Sequence, residues 1–263
     1  MFHTLTQPRR VAITGIGCVT PIGKGKDEVW RAMLAGESGV RRIEQFDVSD
    51  SAAKIAAEVR DFDWETEVSS KDRRHVPRTV PLALSAARMA VADAGIDPAE
   101  MSLEQRRGVG VQIGTGGGGL AFAEKHYQYF YLGPRKDASV YIIPASTHGG
   151  LSSEISMALG LRGLSHVIST GCTSSTDAIF YAAEHIALGR QDVMIAGGVD
   201  APIAPGIFAG FNLMKVLTSD WNDEPQRASR PFSKGRSGMV LGEGSYLFVL
   251  EALDHAVARG ARV

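Results

Sequence analysis

The sequence predicts an α/β fold, a mostly parallel mixed sheet covered on both faces by helices, and three observations carry that prediction. Short runs rich in Val, Ile and Ala alternate along the chain with segments of helical periodicity. The 30 glycines gather at the ends of the apolar runs, where turns are needed, and not in a flexible linker. A hydrophobic content of 44% over 263 residues is enough to bury a substantial core, as one large domain or two smaller ones.

The chain opens with residues 10–15 (RVAITG) as a buried strand, followed by a helix over residues 27–34 with acidic residues in its first turn. Residues 54–59 read as a short edge strand. Residues 79–94 predict a helix stopped by Gly95, with Pro81 admissible only in its first turn. Residues 108–113 (GVGVQI) form a second buried strand, 151–159 a helix, and 165–169 (SHVIS) a third strand. Residues 177–188 continue as a helix and 192–196 as another strand. A loop-rich region over residues 197–238 leads to a predicted β pair, 239–241 with 245–250, and a last helix starts near Glu251. No repeat, low-complexity tract or linker before Gly197 interrupts this order, which reads as one α/β unit.

A formal net charge of -1 and a pI near 6.7 give no general field for drawing in nucleic acid or an anionic membrane surface. Neither is expected as a partner, and any charged partner must be met by a local patch. Cys18 and Cys172 are too few for a disulfide framework and lack the spacing of a zinc site, which suits a cytoplasmic protein. The seven histidines are scattered without the pairing of a helical metal site, so no metal is expected. No signal peptide or bilayer-spanning apolar stretch is read either.

Residues 114–119 (GTGGGG) satisfy the GxGxxG spacing of a dinucleotide-binding turn. That fingerprint needs an acidic residue about 20 positions on, at the end of a second strand. The candidate, Asp137, instead precedes an apolar run. Cys18 stands in a small-residue turn after the first strand and reads as a core filler. Cys172 lies in VISTGCTSSTDAI, with a glycine before it for a sharp turn and a helix after it. The unpaired N–H groups and positive end of such a helix would favour the thiolate. They could also hold an oxyanion once the sulfur attacks a thioester or other carbonyl. A buried structural cysteine at a strand-to-helix turn is the other reading, and the local residues leave both open.

Residues 170–174 (TGCTS) resemble the nucleophile motif of the β-ketoacyl-[acyl carrier protein] synthases, the condensing enzymes of fatty acid and polyketide synthesis. Residues 11–23 (VAITGIGCVTPIG) are similar to that family's opening strand and turn, and 114–120 to its glycine loop. Residues 194–200 (MIAGGVD) resemble the strand after the nucleophile helix; 222–231 and 239–244 resemble the long loop and β pair that follow. The STGCTS form is closest to the ketosynthases of dissociated, type II polyketide systems. Their partner chain-length factors usually carry glutamine in place of the cysteine.

The resemblance implies a thiolase-like layered fold of two similar halves, with residues 1–263 supplying the N-terminal half of the domain. It implies Cys172 as the catalytic, acyl-accepting nucleophile, with backbone N–H groups, its own included, as oxyanion hole. The acyl chain is then extended by decarboxylative condensation with malonyl carrier protein. No diffusible cofactor is implied, because the substrates ride on the phosphopantetheine of an acyl carrier protein. That acidic carrier implies a basic docking patch, with Lys71, Arg74 and Lys215 as the candidates. Gly117 stands where fatty acid enzymes often carry a bulkier residue that shapes the acyl pocket, and Phe211 is expected at the pocket floor. A dimer is implied, as a homodimer or a heterodimer with a ketosynthase-like subunit, with residues 165–169 pairing across the twofold. The family's HGTGT-like and GHxxGA-like histidine segments do not occur in this sequence. The C-terminal half is therefore expected to be absent, and these residues alone are not expected to complete a condensation. A non-catalytic, chain-length-factor-like interaction subunit, or an inactive fragment, is the alternative.

Overall fold

The computed structural model describes residues 7–69 and 73–263. Its first elements are β1 (Val11–Thr20), β2 (Gly23–Lys24), α1 (Lys26–Leu34), β3 (Arg41–Arg42), β4 (Ile55–Ala56) and α2 (Thr79–Asp93). Then come α3 (Leu103–Arg107), β5 (Val109–Gly114), α4 (Leu120–Tyr131), α5 (Ile142–Ser146), α6 (Gly150–Ala158) and β6 (Ser165–Ile168). The chain closes with α7 (Ser174–Ala187), β7 (Val193–Asp200), α8 (Pro205–Leu213), β8 (Gly244–Ala252) and α9 (Leu253–Ala258).

The main sheet has six strands in the order β2-β1-β8-β7-β5-β6. β5 is parallel to β6 and β7, whereas β8 is antiparallel to both its neighbours, β1 and β7. β1 therefore points the same way as β5, β6 and β7, and only β8 and the two-residue β2 are reversed. Alternate residues of a strand face opposite sides, and the core divides accordingly. Val193, Ile195, Leu247 and Val249 join α2 and α6 in one apolar cluster. Met194, Ala196, Leu250 and Ala252 join Ala182 and Ile186 of α7 in another. Helices thus clad both faces, as the apolar patterning predicts.

Eleven of the fifteen residues of α2 are buried, which makes it a central helix rather than an amphipathic surface one. Its alanines let its backbone press on β1: a Cβ at Gly17 would lie 2.0 Å from the carbonyl oxygen of Ala86. Just before α2, Arg78 donates from Nε and Nη2 to the buried carboxylate of Glu243, at 2.7 and 2.6 Å. Glu243 also accepts from the backbone N–H of Val59 at 2.8 Å. The start of α2 is in this way tied to the loop that precedes β8.

Several elements differ from the sequence expectation. β1 runs on to Thr20 because pairing with β8 continues through Gly17 and Cys18, after a register shift between Ile13 and Gly15. Cys18 is fully buried, a core filler as expected, but it sits in a strand and not in a turn. The β pair of residues 239–241 with 245–250 does not form, since both edges of β8 are taken by β1 and β7. Met239 bridges to Leu217 instead. The region read as loop contains α8, where burial of Phe208 overrides the poor helix propensity of Gly206 and Gly210. The run after the glycines forms α4, although its aromatics favour strands by propensity. Among the described residues no helix is long and apolar enough to cross a membrane.

Candidate active site

β5, β6 and β7 end together, with Gly114 paired to Ile168 on one side and Gly198 on the other. The segments leaving those ends converge, as ligand sites do at the carboxyl edges of parallel strands. β5 delivers the glycine loop, β6 delivers Cys172, and β7 ends on Asp200.

Cys172 occupies a single 3-10 turn, Gly171–Thr173, wedged between β6 and α7. Gly171 has a φ of 71°, a left-handed conformation that only glycine adopts without steric cost. α7 begins at Ser174 rather than at Asp177, so the helix starts directly after the cysteine turn. Cys172 is exposed, and no side chain caps the first N–H groups of α7. A thiol in that place meets the positive end of the helix.

The hydroxyl-rich run around the cysteine is a hydrogen-bonded set. Ser174 Oγ accepts from the N–H of Thr170 at 2.9 Å and lies 2.6 Å from the Gly171 carbonyl, to which it donates. Asp177 accepts from Thr173 Oγ1 at 3.1 Å and from Thr170 Oγ1, so one carboxylate holds the hydroxyls on both sides of Cys172. Sequence reasoning missed Ser174 and Asp177. The signal was present in the Ser/Thr run followed by an acidic residue, which is how capping and turn hydrogen bonds are written in sequence.

A cavity of about 430 Å³ opens at Cys172, with Ile179, Asp200, Glu243, Tyr246 and Phe248 in its wall. Behind Tyr246 lies the other cysteine. Burial pushes the Cys18 thiol up, and its hydrogen bond with Tyr246 offsets this only in part. A thiol held neutral in the core is inert, whereas Cys172 is exposed at the cavity.

The other expected site residues lie in different places. Gly117 directs its N–H at the Asp200 carboxylate, one step behind the cavity wall. Phe211 is half-buried and packs on a separate apolar cluster with Phe208 and Leu217, away from the cavity at Cys172. Arg74 lines a second cavity, of about 680 Å³, together with Arg73, Lys125 and His126. Burial, and then the charges of Lys125 and His75, hold His126 below the ordinary imidazole range. Lys215 is exposed just beyond α8, with a φ of 58°, and lines neither cavity. Lys71 lies outside the described residues. Lys125 was not read as part of this basic wall because α4, which carries it, was not read as a helix.

Comparison with known proteins bears on the whole of this arrangement. Residues 8–256 match the family model described as Beta-ketoacyl synthase, N-terminal domain. The chain is 40% identical over 256 residues to the 3-oxoacyl-[acyl-carrier-protein] synthase 2 of Vibrio cholerae serotype O1, which covers 97% of this chain and 61% of that protein. The protein of the same name from Coxiella burnetii is 41% identical over 258 residues, with 98% and 61% covered. A solved beta-ketoacyl synthase from Burkholderia phymatum superimposes with a TM-score of 0.84 at 32% identity, over 97% of this chain and 62% of that one. A chain of AntDE:AntF, a type II PKS acyl-carrier protein in complex with its ketosynthase, gives 0.83 at 30% identity, over 97% and 61%. The chain spans about 61% of the length of the curated relatives it matches. The mixed sheet with helices on both faces is the thiolase-like architecture of the N-terminal part of these neighbours. With residues 8–256 covered by that family's model, the chain belongs to the beta-ketoacyl synthase family and corresponds to that family's N-terminal domain.

Proposed function

We propose that this chain provides the acyl-accepting centre of a β-ketoacyl-[acyl carrier protein] synthase acting in fatty acid or polyketide synthesis. The observation that carries the reading is the exposed Cys172 on a left-handed glycine turn at the uncapped start of α7. The Cys172 thiolate attacks the carbonyl carbon of an acyl thioester on the phosphopantetheine arm of an acyl carrier protein. The carbonyl electron pair moves to oxygen, where backbone N–H groups at the turn, that of Cys172 included, hold the oxyanion. Collapse forms the Cys172 thioester and expels the phosphopantetheine thiolate, which takes up a proton. Decarboxylation of malonyl carrier protein then releases CO2 and yields the enolate, which attacks the thioester carbonyl, breaks the C–S bond and returns Cys172 as a thiolate, a stage that belongs to the whole synthase. The substrates arrive on their carrier, so no diffusible cofactor takes part.

Arg73, Arg74 and Lys125 give an acidic carrier protein a basic wall to dock on, with Lys71 and Lys215 as further contacts. The chain's likeness to a ketosynthase solved with its acyl-carrier protein supports that partner. Among the described residues β6 is an edge strand with β5 as its one neighbour, which leaves its outer edge for a second copy or a ketosynthase-like subunit. Its likeness to the ishigamide ketosynthase/chain length factor, at 31% identity and a TM-score of 0.83, supports such pairing. The cysteine itself speaks for catalysis over a purely structural subunit.

Intact-mass spectrometry after incubation with octanoyl carrier protein tests the reading. The chain should gain the mass of one octanoyl group, and Cys172→Ala should gain none. No adduct on the wild-type chain would sink the proposal.

A further inference from the structure

We infer that Asp200 is a positioning residue whose carboxylate fixes the glycine loop against the nucleophile turn, and so sets the wall that an acyl chain on Cys172 meets. The inference rests on the acyl-accepting reading given above. The backbone N–H groups of Gly116 and Gly117 both point at this one carboxylate, each at 2.8 Å, the first to Oδ2 and the second to Oδ1. Thr115 Oγ1 donates to Oδ1 at 3.0 Å and accepts from the N–H of Gly118 at 2.8 Å. Successive N–H groups folded round an anion make a nest, and here the anion is part of the chain. Bonds of this kind, with one partner charged, are roughly twice as strong as neutral ones.

Asp200 is the last residue of β7, the strand next to β5, so the carboxylate anchors the loop to the rigid sheet. The anchor reaches the cysteine through Thr115, whose carbonyl lies 3.1 Å from the same Ser174 Oγ that bonds to Gly171. Loop and turn already touch: a Cβ at Gly116 would lie 3.4 Å from both Asp200 Oδ2 and the Gly171 carbonyl oxygen. Asp200 also lines the cavity at Cys172, so a shift in its partners is a shift in that wall.

Asp200→Asn keeps the shape and removes one acceptor. Whichever way the amide is turned, its NH2 group faces at least one of the two loop N–H groups. Two measurements on the 263-residue chain decide the matter. Hydrogen exchange should rise about tenfold in D200N over residues 114–119, and with it over 170–176, while α2 stays unchanged. No rise in the loop, or a rise spread evenly over the chain, overturns the inference. Uptake of butyryl, octanoyl and palmitoyl groups by Cys172 from carrier protein reads the wall itself. The ratio of palmitoyl to butyryl uptake should change about fivefold in D200N. A uniform fall for all three, which is what a merely structural residue would give, overturns it. A wild-type chain that takes up no acyl group refutes the functional reading instead, and the exchange measurement still decides whether Asp200 anchors loop to turn.

Discussion

Glu251, wholly buried on β8, gathers Thr14 Oγ1, His255 Nδ1 at 2.8 Å and Arg259 Nε at 2.9 Å around one carboxylate. Burial alone would raise its pKa, but the hydrogen bonds from Arg259, Thr14 and His255 outweigh burial and hold it below the ordinary carboxylate range. A group depressed in this way contributes stability that is present above its unfolded pKa, about 4.3, and is lost as pH falls through the folded value. Arg259→Leu removes the guanidinium paired with the buried carboxylate, leaving only Thr14 and His255 on it, and should cost about 3 kcal/mol at neutral pH. The cost should shrink as acid protonates the carboxyl; urea unfolding of both proteins over an acid-to-neutral series checks it, and a pH-independent cost contradicts it. At this scale the sequence made Cys172 visible, since a lone cysteine between glycine and a hydroxylic run is a local pattern. It could not show Asp200, whose partner Thr115 is 85 residues away and is met only once β5 and β7 pair.

Elements were legible where their own periodicity decides them. α2 and α1 come out nearly as read, because helix periodicity and a stop such as Gly95 need no tertiary help. β1 was read too short, since Gly15 and Gly17 look like a turn until α2 is seen to need their missing side chains. Gly17→Ala should therefore cost about 3 kcal/mol or more, at or above the upper end of ordinary overpacking, because the added methyl meets a helix backbone and not a pliable side chain. Guanidinium unfolding measures it. A loss under about 1 kcal/mol would mean that α2 can move off β1.

The whole molecule presents apolar surface that a free-standing domain seldom keeps. Tyr131 is 73% and Leu132 is 87% exposed at the end of α4, with Tyr127 and Phe130 exposed beside them. With the open edge of β6, this predicts association between copies in solution. His166→Glu, at an exposed position of β6, sets like charges across the pairing edge and should change the fold's own stability by no more than about 0.5 kcal/mol. Sedimentation should show a dimer for the wild-type chain and a monomer for the variant; a dimeric variant places the interface elsewhere. An exposed apolar surface is what the sequence leads one to expect of a free-standing half, but which residues form it was not legible, since their exposure depends on where α4 packs. A last consequence follows from β8, which comes after β7 in the chain yet lies between β1 and β7, with Val11 paired to Ala252. The β8-facing edge of β1 stays bare until residues 244–252 have been made, whereas β7 waits only for the span between Asp200 and Gly244. β1 thus joins the sheet in a long-range step, the kind that makes folding slow and leaves an unpaired edge open to aggregation meanwhile.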